Sequence, residues 1–278
     1  MDGLGLRGSG HRIPQDRAGA AGYVVRPVPR NRQVVLDVLA GAARRFPVHG
    51  LVEFDVERAG SRLADSQPPV SWSGFVIATL ARAVARHPEL NARRAGNRVL
   101  FFDRVDVGAT VERHTDGGVV PVVVTIRDAD HRSCAAISAE LGRARQAPDQ
   151  APARRGVAAG VARLPGPVRR TAMRLAGRRP AAAAAFGPAV GVTSLGMFSR
   201  GGGWAIPIAP LTLVATVSGV VDRPVVRDGH IVARPMLPLT LSFDHGVIDG
   251  APAARFVQTL RDLTETAAAF ENTTVTSP

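Results

Sequence analysis

The 278-residue sequence contains no lysine, a single cysteine and few aromatic residues. Without lysine the chain can form neither a Schiff base nor the lysine–phosphate contact of a P-loop. Because Cys134 is alone, an internal disulfide is excluded, and we expect a protein of the reducing cytoplasm. No apolar run reaches the ~18–20 residues that span a bilayer, and the first residues lack the apolar core of a secretory signal, so we expect no membrane contact.

The charge of the chain is strongly positive, at +12, and every basic residue is arginine. The arginines are spread along the chain with few aromatic residues between them, so we expect no nucleic-acid partner. A small ligand that carries phosphate groups is an alternative reason for basic residues at a pocket. No grouping of histidine, cysteine and acidic residues indicates a metal site.

Hydrophobic periodicity predicts mixed helices and strands in one domain. The strongest helix is Ser71–His87, with Ser71 or Ser73 as its N-cap and Pro88 just beyond its end. Residues 57–67 are helical or irregular. Other helices are expected at 31–45, 133–141 and 168–178, and strands at 51–56, 99–102, 105–111, 119–126, 190–198, 211–220 and 239–243, with a hairpin joining 225–227 to 230–233.

Two segments contain candidate reactive side chains. His245 follows a predicted buried strand, and Asp249 stands just before a predicted helix. The structural alternative for Asp249 is that it is no more than the N-cap of this helix. A histidine so placed is suited to acid–base chemistry, although a lone histidine in a turn is often merely structural. His131 and Cys134 are close in sequence, which leaves a thiol nucleophile as a weaker alternative.

The residues around His245 carry a family resemblance. Residues 239–260, LTLSFDHGVIDGAPAARFVQTL, resemble the active-site segment of CoA-dependent acyltransferases, most closely the catalytic domain of the dihydrolipoyl acyltransferases of 2-oxoacid dehydrogenase complexes. The segments HPELNA at 87–92, RDAD at 127–130 and VTSLGMF at 192–198 fall in the family's order. The resemblance implies an α+β fold like that of chloramphenicol acetyltransferase, a two-layer sandwich with a mixed sheet flanked by helices, which forms trimers.

The resemblance also implies roles for individual residues. His245 would be the general base, and Thr193, aligned through Leu195-Gly196, would stabilise the oxyanion from a neighbouring subunit of a homotrimer. Ser194 is the adjacent alternative and a candidate contact for the acyl-CoA co-substrate. We expect Asp249 to hold the turn through a cap or a pair with arginine. Gly246 departs from the family, which usually has arginine there.

The resemblance leaves the acceptor of the acyl group open. We expect transfer of an acyl group, acetyl by family analogy, to a small-molecule hydroxyl or thiol in a biosynthetic pathway, because no lysine is present to carry a lipoyl group. The alternatives are a dihydrolipoamide acyltransferase core that acts with a separate lipoyl protein, and an inactive trimeric scaffold. We expect residues 1–22 to be a disordered arm, 23–270 the catalytic domain with an Arg/Ala/Pro-rich insertion at about 146–188, and 271–278 a frayed tail.

Overall fold

The computed structural model describes residue 28 and residues 30–115, 118–147, 164–195 and 202–271. The proposed arm at 1–22, most of the tail after 271 and the middle of the proposed insertion lie outside these ranges. The helices are α1 (Arg30–Ala42), α2 (Glu57–Ala64), α3 (Trp72–Ala85), α4 (Cys134–Gln146), α5 (Gly166–Ala176), α6 (Pro180–Ala185) and α7 (Gly250–Glu265). The strands are β1 (Pro47–Asp55), β2 (Ala92–Ala95), β3 (Arg98–Phe101), β4 (Val107–Thr115), β5 (Gly118–Ile126), β6 (Val190–Ser194), β7 (Leu213–Val217), β8 (Val221–Arg227) and β9 (His230–Asp244).

A mixed seven-stranded sheet forms one layer of the domain. Its strand order is β1-β9-β7-β6-β4-β5, and β8 pairs with the first half of β9. β6 runs parallel to both β4 and β7, whereas the other pairs in the sheet are antiparallel. β2 and β3 form a separate hairpin. The sheet and its flanking helices confirm the predicted α+β class.

The second layer consists of helices packed on one face of the sheet. α3 lies at its centre and contacts both α4 and α7. Nearly every residue of α3 from Gly74 to Val84 is buried, which is typical of a core helix. Ser71 caps it by accepting a 3.1 Å hydrogen bond from Gly74 N, as the sequence predicts. Alternate residues of the sheet, such as Leu239, Leu241 and Phe243 of β9, point into this core.

Three element predictions require correction. Pro47 does not merely end a helix; it begins β1, because an edge strand tolerates a residue without an N–H. The predicted strands at 230–233 and 239–243 are one continuous strand, β9, paired first with β8 and then with β1 and β7. β2 and α6 were not predicted, since their short Arg- and Ala-rich sequences have no clear period.

Helix α5 confirms the predicted helix at 168–178. Val168 and Leu175 of this helix are about half exposed, whereas Arg169 is buried. The reason is an ion pair, because Arg169 Nε and Arg170 NH1 both bind the carboxylate of Asp37 on α1. Hydropathy could not reveal a partner more than a hundred residues away. Within the described ranges, no helix is long and apolar enough to cross a membrane.

Candidate active site

His245 lies in the tight turn that joins β9 to α7, and backbone hydrogen bonds fix this turn. His245 N donates to Phe46 O at 2.8 Å, just before β1 begins. Asp244 N donates to Thr212 O at 2.9 Å, just before β7. The two strands that flank β9 therefore hold both residues where the strand ends.

Asp244 organises the same turn from inside the protein. Its side chain is almost fully buried, and one carboxylate oxygen pairs with Arg45. The other oxygen accepts a 3.1 Å hydrogen bond from Gly246 N, while Asp244 O accepts from the amides of Val247 and Ile248. Sequence reasoning passed over Asp244, although a carboxylate at the end of a buried strand is a signal that it requires a partner.

The imidazole of His245 has one nitrogen committed and one available. Its Nδ1 lies 2.8 Å from Ile248 O, and a carbonyl oxygen can only accept, so Nδ1 carries a proton. In the neutral ring the lone pair is then on Nε2. The side chain is 48% exposed, so Nε2 is a base that a substrate can reach.

Asp249 does not play the part expected from sequence. It occupies the N-cap position of α7, but its side chain makes no capping hydrogen bond and is 88% exposed. Its Oδ1 is 3.9 Å from His245 Nδ1, which is too far for a hydrogen bond. Among the described residues the arginine pair expected for Asp249 belongs to Asp244 instead, because Asp244 is the carboxylate that is buried.

Thr193 and Ser194 end strand β6 and point to opposite faces of the sheet. Ser194 lines a small cavity on the helix side with Ile77 and Leu141. Because side chains alternate along a strand, Thr193 points to the opposite face of the sheet. The two candidate hydroxyls are thus on different sides of the sheet.

Thr193 belongs to a row of threonines that crosses four strands. The register places Thr110, Thr193, Thr216 and Thr240 side by side on β4, β6, β7 and β9. Thr216 and Thr240 are 2% and 0% exposed, and their hydroxyls have no hydrogen-bond partner among the described residues. The half-buried Thr193 is the member of the pair Thr193–Ser194 that continues this polar row.

Within one chain, His245 and Thr193 lie far apart. Thr193 is level with Thr240, and His245 is five residues further along the chain, ~17 Å at strand spacing. β6 is also two strands away from β9, which adds ~10 Å across the sheet. The two side chains are therefore ~20 Å apart, and one chain cannot bring them onto the same atom.

Comparison with known proteins assigns the chain to a family. The family model described as 2-oxoacid dehydrogenases acyltransferase (catalytic domain) matches residues 40–152 and 168–270. The chain belongs to this family. The family match confirms the resemblance drawn from residues 239–260. Residues 153–167, in the middle of the proposed insertion, fall outside the match.

Curated relatives of this acyltransferase-family chain are components of multienzyme complexes. It is 28% identical over 270 residues to the lipoamide acyltransferase component of the branched-chain alpha-keto acid dehydrogenase complex of Pseudomonas putida, covering 91% of this chain and 56% of the relative. It is 28% identical over 197 residues to the dihydrolipoyllysine-residue succinyltransferase component of the 2-oxoglutarate dehydrogenase complex of Bartonella vinsonii subsp. berkhoffii, covering 70% and 40%. The chain thus spans about half the length of these relatives.

Solved structures confirm the fold. The cubic core of the pyruvate dehydrogenase multienzyme complex superposes with a TM-score of 0.66 at 24% identity, covering 90% of this chain and 95% of that one. Dihydrolipoamide acetyltransferase of Azotobacter vinelandii, studied for the role of a serine, a histidine and an asparagine in its mechanism, gives the same values. The family's fold is therefore shared across nearly the whole chain.

The family's usual arginine after the histidine is replaced here by Gly246, and another arginine lies beside that position. A Cβ added to Gly246 would lie 3.4 Å from Arg94 Nε and 3.2 Å from Asp244 Oδ1. Arg94 is on β2, so a guanidinium still lies against the turn that holds His245. Sequence reasoning missed Arg94, because only the fold brings β2 to this turn.

Two other candidates have structural explanations. Cys134 is buried, and its Sγ lies 3.2 Å from Ala269 O. Burial raises the pKa of the Cys134 thiol to about 11, so at neutral pH it is a protonated core residue and a poor nucleophile. His131 is mostly exposed and faces Asp130. In the described part of the chain, no group of three or more His, Cys, Asp or Glu could hold a metal ion.

Proposed function

We propose that this chain is a CoA-dependent acyltransferase that exchanges an acyl group between CoA and a dihydrolipoyl group, with each active site built from two subunits. The observation that carries the proposal is the state of His245. Its Nδ1 is held by Ile248 O, which leaves Nε2 as an accessible base at the end of β9.

The spacing of the candidate residues supports Thr193 over Ser194. In the Azotobacter vinelandii enzyme, the serine precedes the histidine by 52 positions and the asparagine follows it by 4. Here Thr193 precedes His245 by 52 positions and Asp249 follows it by 4. Thr193 therefore takes the place of that serine, and its hydroxyl retains the capacity to donate a hydrogen bond.

The proposed reaction needs no acyl-enzyme. His245 Nε2 takes the proton from the acceptor thiol, and the thiolate attacks the carbonyl carbon of the acyl-CoA thioester. The Thr193 hydroxyl of a neighbouring subunit donates a hydrogen bond to the oxyanion of the tetrahedral intermediate. When the intermediate collapses, the C–S bond to CoA breaks, and the CoA thiolate takes the proton back from His245.

A trimer is the proposed assembly, because it can place His245 of one copy next to Thr193 of another. Apolar side chains available for such a contact are exposed on the segment before β7, where Trp204, Ile206 and Ile208 are 39%, 56% and 62% exposed. Trp204 Nε1 donates to Val52 O, so this segment lies along β1, whose Leu51 is also exposed. Burial of these side chains would favour association.

The names of the relatives support a choice of acceptor. They refer to lipoamide or dihydrolipoyllysine, which favours a dihydrolipoyl acceptor over the small-molecule hydroxyl or thiol expected from the sequence. A dihydrolipoyl group therefore becomes the first candidate. It must come from outside these 278 residues, because they contain no lysine to which lipoate could be attached.

The test is release of CoA by the purified protein with free dihydrolipoamide. Acetyl-CoA, succinyl-CoA and isobutyryl-CoA are compared as donors, since the relatives include acetyl, succinyl and branched-chain enzymes. We expect turnover with at least one donor and none in His245→Ala. Turnover only with an alcohol acceptor would favour the small-molecule alternative, and a trimer inactive with every pair would favour the scaffold.

A further inference from the structure

An unusually basic part of the chain remains without a role in the proposed reaction. Between Asp149 and Asp222 the sequence has nine arginines and no acidic residue. The hairpin of β2 and β3, ARRAGNRVLF, is also free of acidic residues and contains three arginines. The fold places this hairpin beside the described portion of the basic segment.

The two basic regions meet in a groove. It has a volume of about 540 Å³ and lies between the β2–β3 turn and the junction of α5 with α6. Arg98 lines one side, and Arg178 and Arg179 line the other. The turn approaches closely, since a Cβ at Gly96, whose φ is +65°, would lie 3.5 Å from Arg178 O. We call this feature the arginine groove.

The charges in the arginine groove are not neutralised by any acidic side chain in the described ranges. All three arginines are exposed, and no described carboxylate lies within 4.0 Å of them. This contrasts with Arg169 and Arg170 of the adjoining helix, which share the carboxylate of Asp37. Since like charges at close range repel, three neighbouring guanidinium groups favour an anionic ligand.

The arginine groove also adjoins the turn that holds His245. β2 carries Arg94 against Gly246, and Ala95 and Gly96, the next two residues, already line the groove. Two residues of strand cover only ~7 Å. A ligand that reaches from the imidazole along β2 would therefore place its far end among the three arginines.

We propose that the arginine groove binds the phosphate groups at the nucleotide end of the acyl-CoA donor. The proposal rests on the proposed function, since it assigns a binding site to the same donor. A guanidinium group binds phosphate through two parallel hydrogen bonds, and the volume is that of a small-ligand site. The pantetheine arm of CoA, which joins the thioester to the phosphates, is long enough to reach from the His245 turn past Arg94 to the groove.

The experiment compares the full chain with the triple variant Arg98→Gln, Arg178→Gln, Arg179→Gln. The matched control is Arg58→Gln, Arg62→Gln, Arg86→Gln, which removes the same charge from exposed positions on α2 and at the end of α3. Binding of CoA is measured by calorimetry. We expect the groove variant to weaken CoA binding at least about tenfold and the control to change it less than about twofold, because charge-assisted contacts are lost only in the former.

Kinetics with two donors separate this proposal from the proposed function. The groove variant should raise the KM for acetyl-CoA and leave the KM for acetyl-pantetheine, which lacks the nucleotide, unchanged. Turnover of both donors with no difference between groove and control variants would overturn the groove alone. If CoA binding depended on the three arginines but no donor were turned over, the proposed phosphate site would stand and the proposed acyltransferase function would be overturned. If the groove substitutions weakened binding of a polyglutamate peptide but not of CoA, the occupant would be an acidic protein and the proposal would be overturned.

Discussion

The two parts of the sheet that carry the candidate residues are built in different ways. At the end where β9 finishes, His245 N donates to Phe46 O, His245 Nδ1 donates to Ile248 O, and the buried carboxylate of Asp244 pairs with Arg45. Where β6 finishes, level with the middle of β1, Thr193 belongs to a threonine row whose buried members lack partners among the described residues. The proposed base is held in place within its own chain, whereas the threonine row has hydroxyls without a described partner, as expected of half a site.

The largest effect should come from the base itself. His245→Ala removes the proton acceptor, and general-base catalysis contributes ~10²–10⁴-fold, so we expect a fall in kcat of that size. The side chain is half exposed, so the melting temperature should hardly change. The measurement is CoA release at saturating acetyl-CoA. A variant with wild-type turnover would show that His245 is not the general base.

The next largest effect should come from the Arg45–Asp244 ion pair that supports the turn of His245. Arg45→Ala leaves the carboxylate of Asp244 buried without its counter-charge, which typically costs ~3–5 kcal/mol of unfolding free energy. The exposed Arg62→Ala is the control and should change stability by less than ~0.5 kcal/mol. Urea denaturation gives both values, and equal stability of the two variants would show that the ion pair does not hold the turn.

At the end of β6, substitutions of Thr193 and Ser194 should affect kcat differently. Thr193→Val removes an oxyanion donor, which costs ~10²–10³ in kcat, and Thr193→Ser should retain activity. Ser194→Ala should stay within about threefold of wild type, since Ser194 faces the helix layer. Kinetic constants of the three variants decide the assignment, and the reverse order would move the role to Ser194.

The smallest effect concerns the unpartnered hydroxyls. Thr240→Val should raise the unfolding free energy by ~1 kcal/mol, because a buried hydroxyl without a partner is replaced by a methyl group. Thr79→Val is the matched control with the opposite sign, since Thr79 Oγ1 donates to Phe75 O at 2.8 Å. Loss of stability in both variants would mean that the Thr240 hydroxyl has a hydrogen-bond partner, and the contrast between the His245 turn and the threonine row would weaken.

Much of the fold could be predicted from local sequence. The Ser71 cap, the buried face of α3 and the strand before His245 depend on neighbours a few residues away, so their patterns are visible in the chain. The partners of Asp244, Arg169 and Gly246 are Arg45, Asp37 and Arg94, all more than a hundred residues distant. No periodicity encodes such pairs, which is why the Arg partner was assigned to Asp249 rather than Asp244.

The distance between His245 and Thr193 could not be predicted from local sequence either. Family resemblance implied that His245 and Thr193 come from different subunits, and the register of β6, β7 and β9 gives their distance within one chain. The register places Thr193 level with Thr240 and leaves His245 at the far end of the sheet. The Arg-rich segment gave a charge but no location, because its groove exists only where α5 and α6 meet the β2–β3 turn.

Subunit complementation tests the central claim most directly. His245→Ala and Thr193→Val chains, each inactive alone, are unfolded, mixed in equal amounts and refolded together. If His245 of one subunit acts with Thr193 of another, random assembly gives intact sites at about one quarter of the positions, so we expect about a quarter of wild-type kcat. If activity stays at the level of the separate variants although mixed oligomers have formed, the site is not shared between subunits and the account is wrong.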